Sequence, residues 1–199
     1  GKTNGLMFDA KGRLVACEGA NDGGRRISRM EKDGTAKTLA DSYQGKRLNS
    51  PNDLAIRPDG RIYFTDPRYV GDEPRELDFQ GVFFIEPGGE VRLATQKTKK
   101  PNGIVFSIDG KTAYIADHEV KDGGVRTLLA YQVKKDGTFG RSKVMHDFAP
   151  GRGVDGMAID DRGNVYATAG RGDKGGIYVF SPEGRHLAFI PTPGSPTNC

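Results

Sequence analysis

The chain has 199 residues, 30 basic and 26 acidic side chains, a formal net charge of +4 and 35% hydrophobic residues. That length supports a sizeable core, and the interspersed charge signs, with Lys97-Thr98-Lys99-Lys100 as the densest basic run, argue against nucleic acid as a partner. No apolar run approaches the ~20 residues of a membrane helix, and Cys17 and Cys199 make neither a disulfide framework nor a zinc motif.

Taken in order, the chain repeats one unit four times. The first begins at Thr3-Asn4-Gly5 and predicts strands over 6–9, 13–16, 26–30 and 36–40, with Asp33-Gly34 as a hairpin signal. The second begins at Asn49-Ser-Pro-Asn52-Asp and predicts strands over 54–57, 61–65, 82–85 and 91–94. Between its second and third strands lies a polar insert, Pro67–Gln80, of a length that is commonly functional. Arg68 and Tyr69 of this insert are candidates for a rim that shapes substrate access. The third unit begins at Pro101-Asn102-Gly103, with strands over 104–107, 112–116, 127–133 and 143–146. The fourth begins at Val154-Asp155-Gly156, with strands over 157–160, 165–168, 177–180 and 186–190.

The unit heads Asn4, Asn52, Asn102 and Asp155 are 48, 50 and 53 residues apart. A period of ~40–50 residues built from short strands predicts an all-β fold, a β-propeller with one four-stranded blade per repeat. Residues 1–199 read as a single propeller domain of about four blades. The chain opens and closes inside a repeat, as if cut from a six-bladed parent at both ends. The compartment stays open between cytoplasmic and periplasmic or secreted, for a soluble protein with no membrane partner. Cys17 falls in a strand and predicts a buried free thiol. Tyr63, Phe64, Tyr114, Tyr166 and Tyr178 follow strand periodicity and predict core, while His146 and His186 on outer strands predict structural roles.

An Asn at a strand entrance can serve only its local turn. Three spaced equivalents and one Asp point instead to a site, because blade heads converge on a propeller axis. Asn4 is read as a channel-lining residue at most. His118, beside Asp117, is a candidate acid or base at the channel mouth. Glu18, Asp66 and Asp117 end second strands and are read as ties between blade loops.

The motifs Asn49-Ser-Pro-Asn52-Asp, Tyr63-Phe-Thr-Asp66-Pro, Pro101-Asn102-Gly103 and Asp155-Gly156-Met157-Ala158-Ile159-Asp160 together resemble the family of gluconolactonases, senescence marker protein and related lactone hydrolases. The resemblance covers essentially the whole chain. It implies a six-bladed propeller holding a divalent cation, often calcium, with Asn102 and Asp155 at ligand positions and Asn52 touching the metal's water or the substrate. The first-blade Glu ligand of the family has no counterpart here, and Ser50 stands where animal members carry an arginine.

The head side chains offer only oxygens, which suit a hard ion: Ca²⁺ first, with Mg²⁺, Mn²⁺ or Zn²⁺ as alternatives. Such an ion can polarise a lactone carbonyl and acidify a water. Asp155, the one anionic head, is the candidate general base. No nucleophile triad is recognisable. The reading is a metal-dependent lactone hydrolase acting on a small-molecule lactone. The alternative is a non-catalytic scaffold similar to NHL-repeat propellers that binds a protein or glycan.

Overall fold

The computed structural model describes residues 2–199 and is all-β. Its framework is four four-stranded sheets of the β-propeller type, each an antiparallel meander of consecutive strands. The chain divides into two compact units with the boundary between Lys100 and Pro101, so that each unit holds two repeats.

In the first unit, blade one consists of β1 (Thr3–Phe8), β2 (Leu14–Glu18), β3 (Arg26–Met30) and β4 (Ala36–Ala40). A small hairpin follows, β5 (Ser42–Tyr43) and β6 (Lys46–Arg47). Its turn residues Gln44 and Gly45 have φ of 51° and 77°, the doubly positive geometry of a two-residue primed turn. Blade two consists of β7 (Leu54–Ile56), β8 (Ile62–Asp66), β9 (Gly81–Ile85) and β10 (Val91–Thr95). The two blades bury Val15, Cys17, Ile27, Leu54, Phe64 and Phe83 in one cluster, with the Phe64 and Phe83 rings stacked at 5.7 Å. Cys17 is the expected buried thiol, and burial holds its pKa well above the ordinary value.

In the second unit, blade three is β11 (Pro101–Phe106), β12 (Thr112–His118), β13 (Arg126–Val133) and β14 (Phe139–Asp147). Blade four is β15 (Met157–Ile159), β16 (Val165–Ala169), β17 (Gly176–Phe180) and β18 (His186–Pro191). β14 is longer than its sequence pattern predicts, because two bulges let it follow β13 from Val133↔Phe139 to Thr127↔Asp147. The core here is Tyr114, Leu128, Val154, Met157, Val165 and Phe180. His146 packs edge-on against Phe148 at 4.5 Å and lies 6.4 Å from His186, so both imidazoles belong to an aromatic cluster.

The glycine after the head makes a recurring backbone bond, which joins neighbouring blades in each unit. Gly5 N–H donates to the Asn52 carbonyl at 2.7 Å, Gly103 N–H to the Asp155 carbonyl at 2.9 Å, and Gly156 N–H to the Thr197 carbonyl at 2.8 Å. The glycine after the head is therefore a close-approach residue. A Cβ on Gly103 would collide with the Asp155 carbonyl oxygen and sit 3.3 Å from the Gly156 Cα. Backbone cannot yield as a side-chain tip can, so Gly103→Ala is expected to cost about 2–4 kcal/mol. Chemical denaturation of wild type and variant measures this; a loss below ~0.5 kcal/mol would show that the heads are not clamped.

Candidate active site

The site is set by where β11 and β15 begin. Register pairs Pro101 with Asp117, His118 with Arg126, and Thr127 with Asp147. The start of β11, the end of β12, the start of β13 and the end of β14 thus share one end of blade three. In blade four Ala169 pairs with Gly176, which places the loops around Asp155 and Arg171 at the corresponding end. Asn102 and Asp155 are the heads at this end.

Asp155 is fixed through its backbone. Its N–H donates to the Thr168 carbonyl at 2.9 Å and its own carbonyl accepts from Gly103. The next residue is clipped by the Thr168 hydroxyl, which accepts from Gly156 N–H at 3.1 Å and donates to the Gly156 carbonyl at 2.9 Å. Thr65 holds Asp53 in the same way in blade two, its Oγ1 accepting from Asp53 N–H at 3.1 Å. These buried threonines leave the head side chains free for other partners.

The Asp155 carboxylate accepts from the Asn102 carboxamide and pairs with the Arg152 guanidinium, which donates to it through Nη2. The second Arg152 amino group donates to the Pro196 carbonyl at 2.9 Å. The Arg152 side chain is 10% exposed and that of Asp155 28%, so the pair is largely withdrawn from water. Burial pushes the Asp155 carboxyl above the ordinary carboxylate value; Arg152 and Asn102 pull it back only in part. The result is a carboxylate of raised basicity, held in orientation by two donors.

The structure therefore brings Asn102 and Asp155 together. In the first unit, Asn52 and Asn4 head neighbouring strands linked through Gly5; Asn4 is exposed and Asn52 half-buried. Neither carboxamide is hydrogen-bonded among the described residues. His118 ends β12, is 5% exposed, and lies beside Gly153, its Cδ2 3.3 Å from where a Cβ there would stand. Asp66 ties loops as the sequence suggests, accepting from Asn49 and Ser50 N–H at 2.8 and 2.7 Å. Glu18 pairs with Arg26 at 3.0 Å.

The Pro67–Gln80 insert is held inward: Arg68 donates to the Asn49 carbonyl at 2.7 Å and to the Glu73 carbonyl at 2.6 Å. The Tyr69 hydroxyl donates to the Lys100 carbonyl at 2.9 Å. Sequence reading missed Arg152. Its only signal there is an arginine between two glycines, three residues before the acidic head.

No three His, Cys, Asp or Glu side chains gather as a metal site among the described residues. A cation at the heads would rely on mixed amide and carboxylate oxygens. Asn102 and Asp155 would contribute one amide and one carboxylate group to such a set for a divalent ion such as Ca²⁺. Arg152 is the cation such an ion would displace from the carboxylate.

The class that fold and site define is a propeller-type protein with a polar Asn–Asp pair at adjacent blade heads. The family model described as SMP-30/Gluconolactonase/LRE-like region matches residues 1–199, and the chain belongs to that family. It is 31% identical over 212 residues to a gluconolactonase of Zymomonas mobilis, covering 99% of this chain and 57% of that protein. Among solved structures, a gluconolactonase from Xanthomonas campestris aligns with a TM-score of 0.86 at 35% identity, over 99% of this chain and 64% of that one. A calcium-binding regucalcin from Agrobacterium tumefaciens shares the fold, with a TM-score of 0.73 at 19% identity, over 97% of this chain and 61% of its own. The chain thus spans less than two thirds of the length of these relatives.

Proposed function

We propose that this chain carries the catalytic heads of a lactone hydrolase that opens sugar or related lactones with a metal-activated water. The observation that carries the reading is the Asn102–Asp155 contact at adjacent blade heads, in a chain of the gluconolactonase family. Asn102 and Asp155 would hold the cation, most simply Ca²⁺. When bound, the ion supplies Lewis acidity toward a carbonyl and lowers the pKa of water.

The residues of the chain do the rest. Asp155 takes the proton of the attacking water and returns it to the ring oxygen as the acyl C–O bond breaks, giving a hydroxy acid. Asn102 fixes the carboxylate while it does so. Asn52, whose carboxamide makes no hydrogen bond among the described residues, would hydrogen-bond the substrate. His118 is an alternative proton carrier, set back on the neighbouring rim.

Exhaustive chelation of the full-length protein is expected to lower gluconolactone hydrolysis roughly 100-fold or more, with recovery on adding Ca²⁺, Mg²⁺ or Mn²⁺. The assay is proton release at constant pH. Undiminished turnover after chelation would remove the metal from the reaction.

A further inference from the structure

Beside the head pair, on the same end of blades three and four, lies a cavity of about 370 Å³ that the reaction as described does not use. That volume is within the ~300–1,000 Å³ range of small-molecule sites. Its walls come from three loops, those joining β12 to β13, β14 to β15 and β16 to β17. Four cations line it, Arg126, Arg152, Arg171 and Lys174, against one carboxylate, Asp122. Asp155 neutralises Arg152 from behind. Glu119 and Asp173 belong to the same loops but do not line the cavity.

The remaining positive charge is built in rather than incidental. The Arg126 guanidinium is anchored by neutral acceptors only, donating to the Gly124 carbonyl at 3.3 Å and the Lys121 carbonyl at 3.1 Å. Two of its five donors are thereby used, and no carboxylate pairs with it among the described residues. Arg171 and Lys174 are exposed and have no hydrogen-bonding or ionic side-chain partner among the described residues. Buried His118 closes the inner wall. Guanidinium forks in a partly enclosed cavity match the planar or tetrahedral oxygens of a carboxylate or phosphate. Arg152 spans the wall, with one face toward the cavity and Nη2 on the Asp155 carboxylate. A ligand seated in the cavity is therefore one arginine side chain away from the proposed proton acceptor.

We infer that this cavity is an anion subsite that takes the acid group, carboxylate or phosphate, of an acidic sugar lactone whose ring is opened beside Asp155. The inference rests on the lactonase reading above and adds a substrate class to it. Neutral lactones use the head residues alone; a lactone with an acid group at the far end of its carbon chain gains the cavity.

The test uses the full-length protein and the double variant Arg171→Ala/Lys174→Ala, which changes two exposed residues outside the proposed catalytic machinery. Three lactones are compared: a neutral aldonolactone, an aldaric lactone bearing a carboxylate, and a phosphorylated aldonolactone. KM for the preferred acidic lactone is expected to rise about tenfold or more in the variant, with kcat/KM for the neutral lactone within about twofold of wild type. Which acidic lactone responds distinguishes carboxylate from phosphate. Calorimetric binding of the open-chain aldarate and of inorganic phosphate gives a readout independent of turnover, and one of these anions is expected to lose about tenfold in affinity in the variant. Loss of that binding in a protein that turns over no lactone would retain the anion cavity and reject the lactonase reading. Equal anion affinity and equal KM for acidic lactones in both proteins would overturn the subsite.

Discussion

Asp155→Ala is expected to lower lactone turnover by about 1,000-fold or more, within the range ascribed to a positioned general base. Asn4→Ala should leave it within about threefold. The contrast follows from what each side chain touches. Asp155 is held between Asn102 and Arg152 with its basicity raised by burial, whereas Asn4 is an exposed residue on β1 with no side-chain bond among the described residues. The bonds that seat Asp155 in the blade come from its main chain and from Thr168, so truncating the side chain leaves them in place. The variant does leave Arg152 without its carboxylate, and Asp155→Asn controls for this by keeping the shape and one acceptor. If kcat in a folded Asp155→Asn protein matched wild type, the proton acceptor would have to be sought elsewhere, with His118 as the first candidate.

The parts of this structure legible in the sequence are those written in short-range patterns. Strand positions follow from alternating burial between turn signals, and β3 and β4 have the bounds their sequence predicts. The Asn102–Asp155 contact was legible too, because equivalent strand entrances on successive blades must come close once the repeat is recognised. The β5–β6 hairpin was not: its turn places Gln44 at φ 51°, a conformation that glutamine does not advertise. Nor was the role of the glycine after each head, since an Asn-Gly pair reads as a turn until the neighbouring carbonyl is seen. Arg152 and the cationic cavity were hidden for a deeper reason. Arg126, Arg152 and Arg171 are scattered among 30 basic residues, and only the stacking of two blades gathers their loops on one rim.

The largest stability effect is expected at Asp66. This carboxylate, fully buried at the end of β8, accepts from the backbone of Asn49 and Ser50 and lies in the field of Arg25 and Arg68. Those arginines in turn hold the Asn49 carbonyl, Arg25 at 3.1 Å and Arg68 at 2.7 Å, so carboxylate and arginines converge on Asn49. Asp66→Ala strands two buried N–H groups and is expected to cost about 2–5 kcal/mol at neutral pH. The cost should also depend on pH. Burial raises the Asp66 carboxyl from 3.8 to about 7, the N–H donors and arginines offsetting it only in part. A raised pKa means that the folded state holds the proton more tightly than the unfolded chain, so between about pH 4 and pH 7 it binds more protons. Wild-type stability from this group therefore falls as pH rises through that window and levels off above it, with a slope of at most ~1.4 kcal/mol per pH unit. The alanine variant lacks the titration, so the stability gap between the two proteins should narrow from pH 4 to pH 7. Urea denaturation at four or five pH values measures the gap. A gap that widens with pH would mean that the two N–H bonds and the arginines outweigh burial, and that Asp66 is held ionised throughout.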